Sequence, residues 1–170
     1  RGVATTIVEG GSQFLLVTVP GRTLTGAGSN PNPGQEVPSY VVVYDISNAK
    51  GNVVAKNFPR TQTIELKVEV KKNEFIHARD PYSLTVSPNA NIVAVANRGL
   101  DAQGVGILKY DADAKKWSYT GAIAMNLGTA KDSFDVNDVQ SIVFTSDMKY
   151  AFVAGYNKFE PGVIDRDPSV

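Results

Sequence analysis

The segment from residue 80 to residue 112, DPYSLTVSPNANIVAVANRGLDAQGVGILKYDA, sets the pattern that the rest of the chain repeats. Pro81, Pro88 and Gly104 interrupt its apolar runs too closely for an amphipathic helix to complete three turns. The segment therefore predicts an antiparallel meander. Its strands are predicted at 82–87, 92–97 and 104–110, and its first turn at 88–91.

The first two strands of this segment differ in pattern. Leu84 and Val86 alternate with polar residues, as in a half-buried strand. The run 92–96, IVAVA, is apolar at every position, which is typical of a central strand covered on both faces. A sheet covered on both faces needs neighbouring layers, so one such unit must stack on others.

Two further copies of the unit supply these neighbours. Residues 5–17 and 141–153 align with residues 83–95, and no gap is needed within any copy. In the first two copies a third strand follows, at 40–46 and 105–110, and both end in Tyr-Asp. The chain is therefore predicted to be built from repeats.

The alignment also predicts which residues are equivalent and which are buried. Ser83 corresponds to Ser141, Val86 to Phe144 and Ile92 to Tyr150. The residues predicted to be buried are Leu84, Val86, Val93, Val95, Ile142, Phe144, Phe152 and Val153.

Each copy plus an outer strand makes a four-stranded meander, the blade of a β-propeller. The outer strand of the second copy is predicted at 117–122. In the first copy it is either 53–56 or the alternating stretch 62–70, which is otherwise an extra ribbon. We predict one all-β domain, an incomplete propeller arc with blade 1 at about 1–70, blade 2 at about 80–124 and the start of blade 3 at about 138–170.

The stretch SPNANIVAVANR and its counterpart TSDMKYAFVAGYN resemble the YVTN-type repeats of bacterial seven-bladed propellers. That group includes surface proteins and lactonase-like enzymes. The resemblance implies a non-catalytic binding or assembly module of a larger bacterial surface or secreted protein, located outside the cell, on its surface or in the periplasm. The alternative is a lactonase-like or quinoprotein-like enzyme. No matching position carries a recognisable lactonase catalytic group.

The length of the chain bears on its partners. A closed propeller takes four to eight blades of roughly 40 to 50 residues, whereas these 170 residues, with their insertions, hold two full blades and the start of a third. We therefore expect an open arc whose apolar blade faces are covered by remaining blades of the same protein or by other chains. The alternative is a complete small β-domain.

Composition narrows the function classes. The chain carries 17 Lys and Arg against 17 Asp and Glu, so nucleic acid is not an expected partner. It has no cysteine, and no apolar run approaches the roughly 18 residues of a membrane-spanning helix. No Gly-x-Ser-x-Gly elbow accompanies the only histidine, His77, so no catalytic residue is predicted.

The long connecting segments are all predicted on one face of the arc, the long-loop face. They follow second strands, at 21–38, 98–103 and 156–161, or join blades, at 71–80 and 125–138. Long loops on a rigid scaffold are where binding and catalytic groups usually lie, so an enzymatic site would be on this face.

Five residues at matching corners of two blades are candidate ligand-binding groups. Arg98 and Asp101 follow the strand IVAVAN, and Tyr156, Asn157 and Lys158 follow the matching strand of the next blade. They would converge near the propeller axis on a polar ligand. The alternative is a solvated rim.

The most acidic stretch of the chain is a candidate metal site. Asp132, Asp135, Asn137 and Asp138 supply hard oxygen ligands of the kind that Ca²⁺ prefers. The alternative is that Asp138 caps the turn into the next strand while the other carboxylates are solvated.

Overall fold

The computed structural model describes residues 2–21, 38–48, 58–72, 74–78, 81–97, 104–123, 126–127, 134–158 and 166–169. All regular secondary structure in these residues is β-strand. The strands are β1 (Val3–Ile7), β2 (Gln13–Val19), β3 (Tyr40–Asp45), β4 (Arg60–Glu65), β5 (Lys67–Lys71), β6 (Glu74–His77), β7 (Pro81–Val86), β8 (Ile92–Asn97), β9 (Val105–Asp111), β10 (Lys116–Ile123), β11 (Asn126–Leu127), β12 (Phe134–Phe144), β13 (Ala151–Lys158) and β14 (Arg166–Ser169).

These strands form antiparallel sheets whose spatial order follows the sequence. Sheet I is β1-β2-β3-β4, sheet II is β7-β8-β9-β10 and sheet III is β11-β12-β13-β14, while β5 and β6 form a separate hairpin. The predicted all-β class is confirmed. So are the three strands of the central segment, since β8 has its predicted bounds and β7 and β9 are each displaced by one residue at either end.

Sheet II lies between sheets I and III. One apolar cluster joins sheets I and II, with Leu16 and Val43 packed in the same group as Val93 and Val95. A second cluster joins sheets II and III and includes Ala94, Ala96 and Ile142 of the two sheets. Strand β8 is therefore covered on both faces and central in its sheet, as its uninterrupted apolar run predicted.

The stretch 62–70 contributes to two elements. Strand β4 pairs with β3 as the outer strand of sheet I, and β5 pairs with β6 in the extra hairpin. Buried Leu66 separates them; its N–H donates to the Ser39 carbonyl and its carbonyl accepts from the Ala78 N–H. Both interpretations of this stretch are thus partly correct. Residues 53–56 lie outside the described residues.

The hairpins β7–β8 and β12–β13 have the same register. Every pair of the first hairpin recurs 58 positions later in the second, from Pro81 and Val139 to Val86 and Phe144, and the second hairpin adds two pairs at its open end. In both hairpins the first strand has one unpaired residue at the same place, Tyr82 in β7 and Gln140 in β12. These shared β-bulges confirm the predicted equivalence of the two copies.

The two hairpins also turn in the same way. The Ser87 hydroxyl donates to Asn89 Oδ1 (2.7 Å) and accepts from the Ile92 N–H (3.1 Å). The Thr145 hydroxyl makes the same bonds, to Asp147 Oδ1 (2.6 Å) and from the Tyr150 N–H (3.1 Å). The third residue after each hydroxyl, Ala90 or Met148, has a positive φ of 62° or 59°.

The first copy departs from the predicted alignment. That alignment pairs Val8 with Leu15, whereas Thr5 pairs with Leu15. The turn is one residue shorter than in the other hairpins, because Val8 bonds to Ser12 across a Gly10-Gly11 pair whose positive φ values tolerate the tighter path. The odd shift sends the opposite set of β1 side chains to the core, so the prediction that no gap is needed is wrong here.

The predicted burial is confirmed at three of eight positions, partial at four and wrong at one. Val93, Val95 and Ile142 are buried, and the other predicted residues are half-buried except Phe152. Phe152 is 67% exposed, so its predicted burial is wrong. It lies beside Val143 on the face of sheet III turned away from sheet II, where none of the described residues covers it.

Candidate binding surfaces

The predicted ligand-binding residues fall partly outside the described chain. Arg98 and Asp101 lie outside the described residues. Tyr156, Asn157 and Lys158 are in β13, which extends further than the sequence predicted. Their backbone pairs with β12 on one side and β14 on the other. Whether these five residues share a ligand stays a prediction.

The predicted metal-binding residues belong to the neighbouring strand. Asp135, Asn137 and Asp138 are in β12, and Asp138 pairs with Tyr156 of β13. Asp132 lies outside the described residues. The structure therefore brings part of the two predicted sets to the same end of sheet III. The calcium site itself stays a prediction.

This end of the sheets is irregular. The pairing of β12 skips Asn137 and Gln140, and the pairing of β7 skips Tyr82. β-Bulges re-aim side chains and are frequent next to functional sites. The bulges therefore mark the long-loop end of β7 and β12 as a candidate site.

Strands β1, β7 and β12 approach one another closely at this long-loop end of the sheets. The Ser83 hydroxyl donates to the carbonyl of Gln140 at the bulge of the next sheet (2.8 Å). On the other side, a Cβ placed on Gly2 would come within 2.8 Å of the Ser83 Cα. Strands β1, β7 and β12 thus form a column of packed backbones, and glycine is needed where β1 meets β7.

One buried polar side chain at this end was missed by the sequence analysis. Asn97 closes β8 opposite Pro81 and is 1% exposed, yet neither polar atom of its amide has a hydrogen-bond partner among the described residues. A buried unpaired polar group costs about 1–3 kcal/mol. The sequence signal that could have predicted this buried amide was a polar residue directly after five apolar ones, in a strand predicted to be covered on both faces.

The shifted titratable groups lie elsewhere. Burial raises the pKa of Tyr119 well above its ordinary range, so this phenol stays protonated at neutral pH. The pKa of Asp45 is lowered by the Ser47 hydroxyl and N–H, and that of Asp147 by the Thr145 hydroxyl and the Lys149 N–H. Both carboxylates stabilise turns.

Two further kinds of feature are absent from the described residues. No group of three or more His, Asp or Glu side chains in them is placed to hold a metal ion. Nor do they contain a helix long and apolar enough to cross a membrane.

The outermost faces of the three-sheet stack are largely apolar and exposed. We call the face of sheet III turned away from sheet II the leading face; it contains Ser141, Val143, Tyr150, Phe152 and Ala154. The trailing face is that of sheet I turned away from sheet II; it contains Val3, Thr5, Ile7, Gln13, Leu15, Val17, Val19, Tyr40, Val42, Tyr44, Arg60, Thr63 and Glu65. The residues named for the leading face are uncharged, and the charged residues of the trailing face, Arg60 and Glu65, lie on its edge strand β4. Val143 (59%) and Val3 (61%) are among the most exposed large apolar side chains.

Compared with protein-family profiles, with curated proteins and with solved structures, the chain has no match. The likeness to YVTN-type repeats therefore rests on the strands and turns quoted above. Function has to be argued from the sheets and their surfaces.

Proposed function

We propose that this chain is a non-catalytic β-propeller module that assembles with other protein surfaces, as part of a larger bacterial surface or secreted protein. One observation carries the proposal: the described residues leave both outermost sheet faces largely apolar and at least half exposed to solvent at their strand edges, whereas both faces of sheet II are covered. Soluble proteins seldom leave such faces bare. The natural partners are remaining blades or other chains.

The stacking of the sheets supports a propeller arrangement. The first strands β1 and β7 pack closely at Gly2 and Ser83, and β7 is bonded to β12 through Ser83. At the opposite edge, Gln62 of β4 bonds to the backbone of Trp117 in β10. Sheets I and II thus meet first strand to first strand and last strand to last strand, and sheet III meets β7 with β12, the counterpart of β7. Sheets stacked in this order are arranged in the manner of propeller blades.

The chemistry of the open faces supports a protein partner. Apart from Arg60 and Glu65 on edge strand β4, they present mainly aliphatic and aromatic side chains with Ser and Thr. The face of sheet II that meets sheet I has the same character, with Val93, Leu108 and Trp117. A charged ligand would lose its hydration on the apolar part of such a surface without gaining a partner there. A second apolar sheet would gain burial at roughly 25 cal/mol for each Å² removed from water.

The proposal is tested by placing charge on the leading face. We expect the wild-type chain to associate in a concentration-dependent way and the V143D/F152D double variant to be monomeric, measured by sedimentation velocity. Phe75→Asp is the matched control, because Phe75 is an exposed strand aromatic in the β5–β6 hairpin, outside both faces. A wild-type chain that stays a compact monomer at all concentrations contradicts the proposal.

A second candidate function is favoured by Asn97 and the bulges beside it. An unpaired buried amide at the long-loop end is what a polar ligand would complete, as in a lactonase-like or quinoprotein-like enzyme. Lactone hydrolysis, measured by the release of protons, should be lost in the Asn97→Ala variant, while the melting temperature of the variant should equal that of the wild type. If the wild type does not hydrolyse lactones, the enzymatic candidate is ruled out and only the assembly function remains.

A further inference from the structure

The covered interface between sheets I and II changes from apolar to polar towards its long-loop end. Strand alternation places Thr18 of β2 on the same face as Leu16, and Asn97 of β8 on the same face as Val95. These two faces pack against each other, and Thr18 and Asn97 are buried at 2% and 1% exposure. The apolar core between the two sheets thus ends in buried polar side chains.

Among the buried polar side chains of the described residues, Asn97 is the exception in its hydrogen bonding. Thr18 Oγ1 accepts from the Gly2 N–H (2.7 Å), and Ser39 Oγ accepts from the Gly21 N–H (2.8 Å). The other buried hydroxyls donate to backbone carbonyls. The Asn97 amide has no such partner at either its Nδ2–H₂ group or its Oδ1 atom. Burying it in this state costs free energy that a bound ligand would recover.

Another buried polar atom without a partner in the described part of the chain is Trp117 Nε1. The Trp117 ring stands at 88° to the ring of Phe14, with 6.2 Å between the ring centroids. The face of an aromatic ring is itself a weak hydrogen-bond acceptor. Asn97 is therefore the stronger indication of a ligand.

We propose that Asn97 anchors a binding site for a small uncharged amide between sheets I and II. A carboxamide offers N–H donors and a carbonyl acceptor side by side, so its complement is a ligand that offers the same pair in reverse. A primary amide or a lactam does so, because an N–H and the C=O lie on the same side of the C–N bond. A trans peptide bond directs the two groups to opposite sides, so a bound peptide backbone would pair with only one of them.

Burial and charge restrict the ligand further. Asn97 is 1% exposed, so a ligand bonded to its amide is enclosed and must be small. None of the buried side chains in the described residues is charged, so an ionic ligand would lose its hydration without gaining a counter-charge. A lactone, the substrate of the second candidate function, has no N–H and would leave Asn97 Oδ1 unpaired. This inference goes beyond the assembly function and does not depend on it.

Two probes of the same shape test the proposal, the lactam pyrrolidone and the lactone butyrolactone, whose rings differ only in N–H against oxygen. The side-chain amide signal of Asn97 in the NMR spectrum of the labelled wild type is the one that Asn97→Ser removes. Pyrrolidone should shift this signal saturably. Butyrolactone should bind about tenfold more weakly, because it leaves one buried acceptor unpaired. Tenfold corresponds to about 1.4 kcal/mol.

The variants locate the binding site. Saturable binding of pyrrolidone should be lost in Asn97→Ser, whose backbone spectrum checks that the fold is retained. Asn89→Ser is the matched control, because it makes the same change at an exposed position in the turn between β7 and β8, and it should bind as the wild type does. The backbone signals of Thr18 and Val95 follow binding to the wild type without any variant. The preference for the lactam is therefore measurable even if Asn97→Ser does not fold.

Three outcomes would overturn the inference. A lactone that binds as tightly as the lactam would show that the N–H of the ligand is not recognised. Shifts that grow linearly with both probes and never saturate would leave water as the partner of the Asn97 amide. Saturable binding that persists in a folded Asn97→Ser variant would place the site elsewhere. The assembly function is tested separately by sedimentation, so it stands or falls independently of these results.

Discussion

Ala94 and Phe152 occupy the same position in two hairpins of identical register, yet one is 1% and the other 67% exposed. The turns, the bulges and the pairing around them are shared. The difference is that sheet III packs on the face of Ala94, while none of the described residues packs on the face of Phe152. Burial in stacked sheets is therefore set by the neighbouring sheet, and a strand pattern alone does not determine it.

The largest expected effect comes from placing the same charge at these two positions. Ala94→Asp buries a carboxylate between sheets II and III without a partner, and we expect it to lower the free energy of unfolding by more than about 3 kcal/mol. Phe152→Asp should change the stability of the monomer by less than about 0.5 kcal/mol, since its side chain is exposed. Urea denaturation, with both variants dilute enough to be monomeric, measures the two values. Equal losses would mean that Phe152 is covered, and the comparison would fail.

The same contrast explains what the sequence could predict. Strands β7 and β8 were predictable because proline punctuation and apolar periodicity are local signals, and the run IVAVA also revealed the two covered faces of β8. The exposure of Phe152 was not, because FVAG has the pattern of a buried strand whether or not a neighbour is present. Burial depends on contacts distant in sequence.

Two other features could not be predicted from the sequence, for different reasons. The shorter turn at Gly10 and Gly11 was hidden because an ungapped alignment matched residue types well, although a one-residue change of turn length reverses the face of β1. Of the candidate site, the sequence predicted residues on β12 and β13, and the pairing of Asp138 with Tyr156 brought the two sets together. Asn97 was overlooked because a polar residue at the end of a strand is ordinary until its burial is known.

A smaller loss of stability is expected from removing side-chain hydrogen bonds at the covered interface between sheets I and II. Gln62 of β4 donates to the Trp117 carbonyl (3.0 Å) and accepts from the Trp117 N–H (2.7 Å). Because β10 is an edge strand of sheet II, this amide takes the place of a neighbouring strand. Gln62→Met keeps the side-chain volume but leaves both backbone groups unpaired, and should destabilise the chain by about 1–3 kcal/mol.

The control for Gln62 is its neighbour on the same strand. Thr63 is exposed and on the trailing side, so Thr63→Ala should be nearly neutral for the monomer. Thermal unfolding of the two variants beside the wild type gives the difference. A Gln62→Met variant as stable as Thr63→Ala would show that apolar contact alone joins sheets I and II.

The smallest expected effect distinguishes the two matching turns by pH. Asp147 accepts from the Thr145 hydroxyl, which is the main reason that its pKa lies below the ordinary value of 3.8, and from the Lys149 N–H. Its counterpart Asn89 makes the same bonds without a titrating group. A carboxylate whose pKa is lowered in the folded state stabilises that state above its ordinary pKa. That contribution is lost as the pH falls through the folded value.

The wild type should therefore lose stability relative to Asp147→Asn as the pH falls below about 5 and through the folded-state pKa of Asp147, where the carboxylate is protonated. Asp45, whose pKa is also lowered, is present in both proteins, so its contribution cancels in the difference. Asn89→Asp is the reciprocal variant and should add a second loss of the same sign in the turn between β7 and β8. Urea denaturation at one protein concentration across this pH range measures both differences, because association would otherwise add to the apparent stability. A difference between wild type and Asp147→Asn that does not change with pH would show that the Thr145–Asp147 bond does not favour the ionised carboxylate, and that the two turns are alike in energy as well as in geometry.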